Sequence, residues 1–383
     1  MLVALLAVGC RRRPPPVATP LPVLPVASAP APAHFEVAPS LHVGLPAGCS
    51  LTERPQVTPV GPPAPVFFAP DQPRGELVVA LPGADNESLR LGIVPLDGRP
   101  VRPLPRIDLG QPFGLAAARA GWLSLLADPT TPGRVVLARE GGAVEEALVG
   151  EQVEPSDLRC RDGRCVALTT RAMRMAAAGA TILVGDGEAP VSRWQRADHA
   201  PEEDERPFVV AQVDATSVVV TTKGPQGVRF VTVRGDRTEA GVALPAPHGA
   251  LDAIALEAPV VLAHGARLEG ECAVPRPLLA LVREGGTQTI DLEAPPLALF
   301  VRPLDRGALA MWLAPTHCGD RRRQVAYAAR LGPRGELVAG PMAVADATGL
   351  ALATHGSAAE VWLRQGDRVA WLRLRCDGAA AGL

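Results

Sequence analysis

A strand–turn–strand unit recurs about every 47 residues, seven times over, between Leu77 and Cys376. Its first landmark is a Gly-centred turn flanked by apolar residues, at Gly98, Gly142, Gly187, Gly235, Gly285, Gly335 and Gly378. Successive steps are 44, 45, 48, 50, 50 and 43 residues. The second landmark, an almost wholly apolar run upstream of each turn, keeps the same step: Leu77–Leu81, Trp122–Leu126, Cys165–Leu168, Val218–Thr221, Val260–Ala263, Leu309–Leu313 and Val361–Leu363. Runs of that length bounded by Gly and Pro suit strands buried on both faces, whereas the alternating runs beside the turns, such as Phe230–Val233, suit strands nearer a rim. Small antiparallel units repeated at this period predict an all-β fold closed into a ring, a single β-propeller of seven four-stranded blades. Each apolar run falls in the second strand of its blade, and each Gly turn joins the third to the fourth. Helix formers gather only at Ala116–Ala120 and Met173–Ala178, too short to stand as helices.

The last unit ends after its third strand, near Cys376. A strand drawn from Leu41–Val60 is expected to supply the missing outer strand and close the ring. An eighth blade built from Leu41–Phe68 is disfavoured by Pro55, Pro59, Pro62, Pro63 and Pro65, which cannot donate to a central ladder. The propeller domain is therefore expected over residues 41–383. With 47% hydrophobic residues, 20% charged and a formal net charge of −2, it has ample material for one large core. Lys223 is the sole lysine and the isoelectric point is near 6.4, so no nucleic-acid partner is expected.

Leu2–Val8 is an uninterrupted apolar run leading into Val8-Gly9-Cys10. Seven apolar residues are far too few to span a bilayer. Small residues before a Cys resemble the lipobox of bacterial envelope lipoproteins, which implies a signal segment over residues 1–9, cleavage before Cys10 and acylation of that residue. Two departures stand beside the likeness: Leu6 lies one position farther from the Cys than usual, and no basic residue precedes the run. Residues 10–40 are dominated by Pro and Ala, as in Pro14-Pro15-Pro16, and predict a semi-stiff extended tether. Arg11-Arg12-Arg13 within it reads as a solvated charge run or as a contact with anionic headgroups. The resemblance to propeller lipoproteins of bacterial envelopes is one of organisation, resting on the lipobox and the repeat spacing, with no Trp-Asp dipeptide in the chain. It implies a cell-envelope location, facing periplasm or cell surface, with the membrane reached through a lipid anchor.

Removing Cys10 leaves six cysteines, and an even number in an exported chain favours disulfides. Cys160 and Cys165 flank a hairpin turn and should face each other. Cys272 and Cys318 fall in corresponding loops of neighbouring repeats. Cys49 and Cys376 sit at the two ends of the domain, so a bridge between them would lock the seam. Zinc held by Cys272, His317 and Cys318 is the weaker alternative to the second of these pairs.

Catalytic signatures are absent: no Gly-x-Ser-x-Gly elbow, no phosphate loop, no His-Glu-x-x-His and no dinucleotide fingerprint. His264, His317 and His355 fall at expected turns or loops of the last three repeats and read as exposed loop histidines. One inter-blade loop is distinctive for its acids: Asp198, Glu202, Glu203, Asp204 and Glu205. Carboxylates at that density can hold Ca²⁺ or receive a basic partner, although the spacing is not that of a dedicated Ca²⁺ loop and a solvated acidic loop is the favoured reading. No other cofactor is expected. Trp122, Trp312 and Trp362 lie inside apolar runs, leaving only Trp194 and Trp371 as candidate platforms for sugars. The functional expectation is a binding or assembly scaffold for another envelope protein or a ligand, and the alternative is an envelope enzyme with a metal or acid/base site in the central channel.

Overall fold

The computed structural model describes residues 43–59, 66–68, 76–82, 89–95, 102–103 and 112–377, the last without 120, 129–130, 132, 141–142, 151–152, 174–175, 201–204, 246–249, 268–275, 292–295, 318–319 and 367. Cys10, the tether, Cys272, Cys318, Glu202, Glu203 and Asp204 lie outside the described residues. Two short N-terminal strands come first, β1 (Ser50–Leu51) and β2 (Gln56–Pro59). Four-stranded antiparallel sheets follow in chain order. The first is β3 (Val66–Phe68), β4 (Glu76–Pro82), β5 (Leu89–Pro95) and β6 (Arg102–Pro103), and the second is β7 (Pro112–Ala117), β8 (Trp122–Ala127), β9 (Arg134–Arg139) and β10 (Val144–Val149). The third is β11 (Val153–Arg161), β12 (Arg164–Met173), β13 (Ala176–Asp186) and β14 (Gln195–His199), and the fourth is β15 (Arg206–Val213), β16 (Val218–Gly224), β17 (Gly227–Arg234) and β18 (Arg237–Leu244). The fifth is β19 (Ala250–Ala255), β20 (Pro259–Arg267), β21 (Arg276–Arg283) and β22 (Gly286–Asp291). The sixth is β23 (Ala298–Pro303), β24 (Ala308–His317), β25 (Asp320–Leu331) and β26 (Leu337–Asp346). The seventh takes β27 (Gly349–His355), β28 (Ala358–Gln365) and β29 (Arg368–Arg375) from the C-terminal end, and β1 and β2 pair with β29 as its outer edge.

This is the propeller-type, all-β architecture that the repeat predicts. The first strand of each sheet lies innermost: β7 packs on β11, β11 on β15, β15 on β19, β19 on β23, β23 on β27, and β27 on β3. Every apolar run sits in a second strand, and from β8 onward those runs are mostly buried on both faces. Met311 and Trp312 on β24 and Val361, Trp362 and Leu363 on β28 are fully buried, so consecutive residues feed the cores on opposite sides of one sheet. Each such side chain contributes about 1.5–3 kcal/mol relative to exposure.

Turn chemistry follows the sequence closely. Asp162 (φ 52°) and Gly163 (φ 86°) make the β11–β12 turn with two left-handed residues, which is the twist a two-residue hairpin requires. Gly335 (φ 74°) turns β25 into β26, and a Cβ there would run into Val260 of the fifth sheet. Ala116 and Met173 both belong to strands, and the described helix is a single 3₁₀ turn at Val191–Arg193.

The seam is stitched at several points. Ser50 pairs with Arg375 and Gln56 with Trp371 in the ladder. Cys49 is bridged to Cys376, the Glu53 carboxylate lies 3.0 Å from the Arg373 guanidinium, and buried Arg330 donates to the Ala47 carbonyl at 3.1 Å. Cys160 and Cys165 are direct cross-strand partners and are bridged. All five tryptophans are buried, including Trp194 and Trp371, so neither of those two is the exposed platform that the sequence left open. Trp194 is drawn inward because its indole N–H donates to the Asp186 and Ala189 carbonyls across the β13–β14 connection.

Candidate functional site

Antiparallel four-stranded sheets place their first-to-second and third-to-fourth turns at one end of the ring and the remaining connections at the other. At the turn end, the first strands of the third to seventh sheets converge on a cavity of about 260 Å³. Arg159, Gln212, Leu256, Arg302 and Thr354 reach it from five different sheets, with Glu257, Asp305, Arg306 and His355 around its mouth. Apolar contributions come from Val213, Leu256, Leu304 and Pro333.

A chain of charges underlies this cavity. Asp157 sits at a bulge in β11, where its side chain turns towards the next sheet: Oδ2 accepts the Val210 N–H of β15 at 2.8 Å and the Arg159 Nε–H at 3.1 Å. Asp252 occupies the matching bulge in β19 and accepts the Val301 N–H of β23 at 3.0 Å. Each aspartate also accepts the N–H of the residue that follows it, at 2.9 Å in both cases. Asp252 then receives two guanidinia, Arg159 at 3.4 Å and Arg302 at 3.2 Å. Four donors fill the four acceptor positions of this carboxylate. Asp252 is thus a strut that joins three sheets and fixes two arginines; it is not poised as a base. The buried pairs are specifying contacts whose disruption would strand charge in a low-dielectric interior.

Thr354 adds an unbalanced group: its side chain is buried, lines the same cavity, and its hydroxyl has no hydrogen-bond partner among the described residues. A second, more open cavity of about 700 Å³ lies beside the first, between Arg119, Arg161, Arg164, Arg193 and the Asp162, Asp186 and Asp214 turns. Arg119 donates to the Asp162 carbonyl at 2.9 Å and Arg164 to the Asp214 carbonyl at 2.6 Å. Arg161, in the disulfide-closed hairpin, borders both cavities.

The acidic stretch singled out in the sequence joins β14 to β15, and Glu202, Glu203 and Asp204 within it lie outside the described residues. Its two described acids are engaged elsewhere. Asp198, within β14, accepts from the Thr181 hydroxyl at 2.6 Å and from Arg196 at 3.1 Å. Glu205 is buried, accepting from the Thr222 hydroxyl at 2.7 Å and from Arg229 at 3.0 Å. The adjacent His199 is held below its ordinary pKa, chiefly by burial; nearby Glu205 opposes that shift and Arg229 adds to it. Lys223 is lowered by burial as well, its ammonium lying 5.3 Å from the Phe208 ring centroid. His264 lies inside β20, His317 ends β24 and His355 ends β27 at the cavity end of the ring, so His264 is a strand residue where a turn was expected. Among the described residues no group of three or more His, Cys, Asp and Glu could hold a metal ion.

Asp157, Arg159, Asp252 and Arg302 were not singled out by the sequence reading, yet a signal was there. Asp252 and Arg302 are each the one charge in an otherwise apolar first strand, whereas Asp157 and Arg159 share β11 with Glu154 and Arg161. Asp252 follows Asp157 by 95 residues and Arg302 follows Arg159 by 143, close to two and three repeats.

No family model matches the chain, and no curated protein matches it. Solved structures do. An oligogalacturonate lyase in complex with manganese aligns with a TM-score of 0.52 at 10% identity, over 86% of this chain and 97% of the lyase. A neuraminidase-like protein of a flat-faced bat isolate from Peru aligns at 0.45 and 12% identity, over 89% and 97% of the two chains. A puromycin hydrolase aligns at 0.46 and 14% identity, over 84% of this chain and 53% of that one. At such identities the likeness is to the fold alone.

Proposed function

We propose that this chain is an exported, lipid-anchored protein whose propeller acts as a binding module, taking its ligand at the turn end of the central channel. The observation that carries the reading is the convergence of five sheets on one cavity whose charged floor is fixed by cross-sheet hydrogen bonds. Pre-organised polar groups set among apolar walls are the ordinary make-up of a ligand pocket. Floor carboxylates already engaged by guanidinium and backbone donors, three at Asp157 and four at Asp252, favour recognition over proton transfer there. The envelope address rests on the Val8-Gly9-Cys10 pattern and the Pro/Ala tether, and the two disulfides among the described residues accord with an oxidising compartment.

Two measurements test the proposal. Metabolic labelling with palmitate should mark the wild type and not Cys10→Ala; equal labelling would remove the anchor. For binding, the low-molecular-mass fraction of a native envelope extract should raise the melting temperature of the wild type by several degrees. It should not do so for Ala255→Trp, which fills the cavity from β19. An equal rise in both proteins, or no rise in either, overturns the binding site.

A further inference from the structure

We infer that the cavity takes a zwitterionic ligand, a free α-amino acid or a dipeptide, with its carboxylate on the floor and its ammonium at the mouth. The inference rests on the binding reading above and concerns what is bound.

Charge balance carries the argument. On the floor Arg159 and Arg302 are matched by Asp157 and Asp252, held within 3.4 Å of them. Around the mouth stand Arg161, Arg306, Glu257 and Asp305, and Asp162 lies 3.9 Å from Arg161. The floor is neutral and the mouth carries one net negative charge. A dense anion such as phosphate would add unmatched negative charge beside two carboxylates that are already desolvated, and a simple cation would meet the two guanidinia. A ligand bearing one charge of each sign leaves the sum unchanged and pairs with both layers.

The layers differ in kind, which gives the ligand a direction. The floor presents planar guanidinia from two sheets, both braced on Asp252, and a carboxylate is the group whose geometry matches that fork. The mouth presents Glu257 and Asp305, both solvent-exposed, which suits an ammonium that keeps part of its hydration. Between them Leu256 and Leu304 offer an apolar wall to a side chain. A volume of about 260 Å³ admits an amino acid or a small dipeptide and lies just below the usual span of drug-sized pockets, roughly 300–1,000 Å³.

The test is calorimetry and thermal shift on the mature protein with the twenty free amino acids, leucylalanine, 4-methylpentanoate, 3-methylbutan-1-amine and inorganic phosphate. At least one amino acid or the dipeptide should bind, and the two single-charge analogues of leucine should bind about tenfold or more weakly than the zwitterion, with phosphate showing no binding. The double variant Glu257→Gln/Asp305→Asn alters two exposed side chains outside the buried charge network. It should weaken the zwitterion by about tenfold while leaving 4-methylpentanoate unchanged. Equal binding of 4-methylpentanoate and the zwitterion, binding of phosphate, or no response to any zwitterion would overturn the inference. If the native extract still stabilises the wild type and not Ala255→Trp, the ligand class fails and the binding site stands. If both tests fail, the site itself falls.

Discussion

The two described disulfides differ in a way that separates ring closure from local bracing. Cys49–Cys376 closes a loop with a sequence separation of 327, and Cys160–Cys165 one with a separation of 5. In the chain-entropy model, stabilisation grows as 1.5RT times the logarithm of loop length, so the seam bridge should exceed the hairpin bridge by about 3.7 kcal/mol, roughly 5.8 against 2.1. Cys160, Cys165 and Cys376 are nearly inaccessible, and Cys49 is half-buried. Paired alanine variants, Cys49→Ala/Cys376→Ala and Cys160→Ala/Cys165→Ala, thus lose no more transfer energy at the seam than at the hairpin, and a larger loss at the seam reports the entropy of the unfolded chain. Non-reducing urea unfolding should place the seam variant's midpoint well below the hairpin variant's. The strand pairing of β1 and β2 with β29 and the Glu53–Arg373 ion pair remain in the seam variant, so it should still fold. Equal losses in the two variants would refute the reasoning, because they would mean that the termini are held together just as firmly without the covalent link.

Three further outcomes follow from particular contacts. Asp252→Ala removes the strut under Arg159 and Arg302 and should cost about 3–5 kcal/mol in urea unfolding, whereas Glu239→Ala on exposed β18 should cost less than about 0.5 kcal/mol. Trp312→Ala, which empties a fully buried site beside Tyr327, should cost about 3–5 kcal/mol. His199 binds its proton less tightly when folded than when unfolded, so its contribution to stability is complete above its ordinary pKa of 6.5 and is lost as pH falls below that value towards the lowered folded value. Melting temperatures of wild type and His199→Gln, measured across that window, should converge as the pH falls.

The architecture was legible because it is written in the backbone. Glycine spacing and two-faced apolar runs such as Leu309–Leu313 depend on local sterics and burial, and both recur at each repeat. The seam and the Cys160–Cys165 bridge were legible for the same reason, since the repeat frame places those residues opposite one another. The cavity was not, because Asp157, Arg159, Asp252 and Arg302 come from three separate sheets and only the ring brings them together. A lone charge in an apolar strand says that a partner exists without saying where. Of the acidic stretch, Glu205 is a structural acid, buried against Thr222 and Arg229, a role its local sequence does not signal.

The most direct test of the account is a photo-crosslinking side chain placed in turn at Glu257 and His355 at the cavity mouth, at His199 at the opposite end, and at Glu239 on an outer strand. Irradiation in native envelopes followed by intact-mass measurement should give a discrete adduct at Glu257 and His355 and none at His199 or Glu239. Adducts at His199 or Glu239 with the cavity mouth unlabelled would contradict the assignment of the ligand to the turn end of the ring.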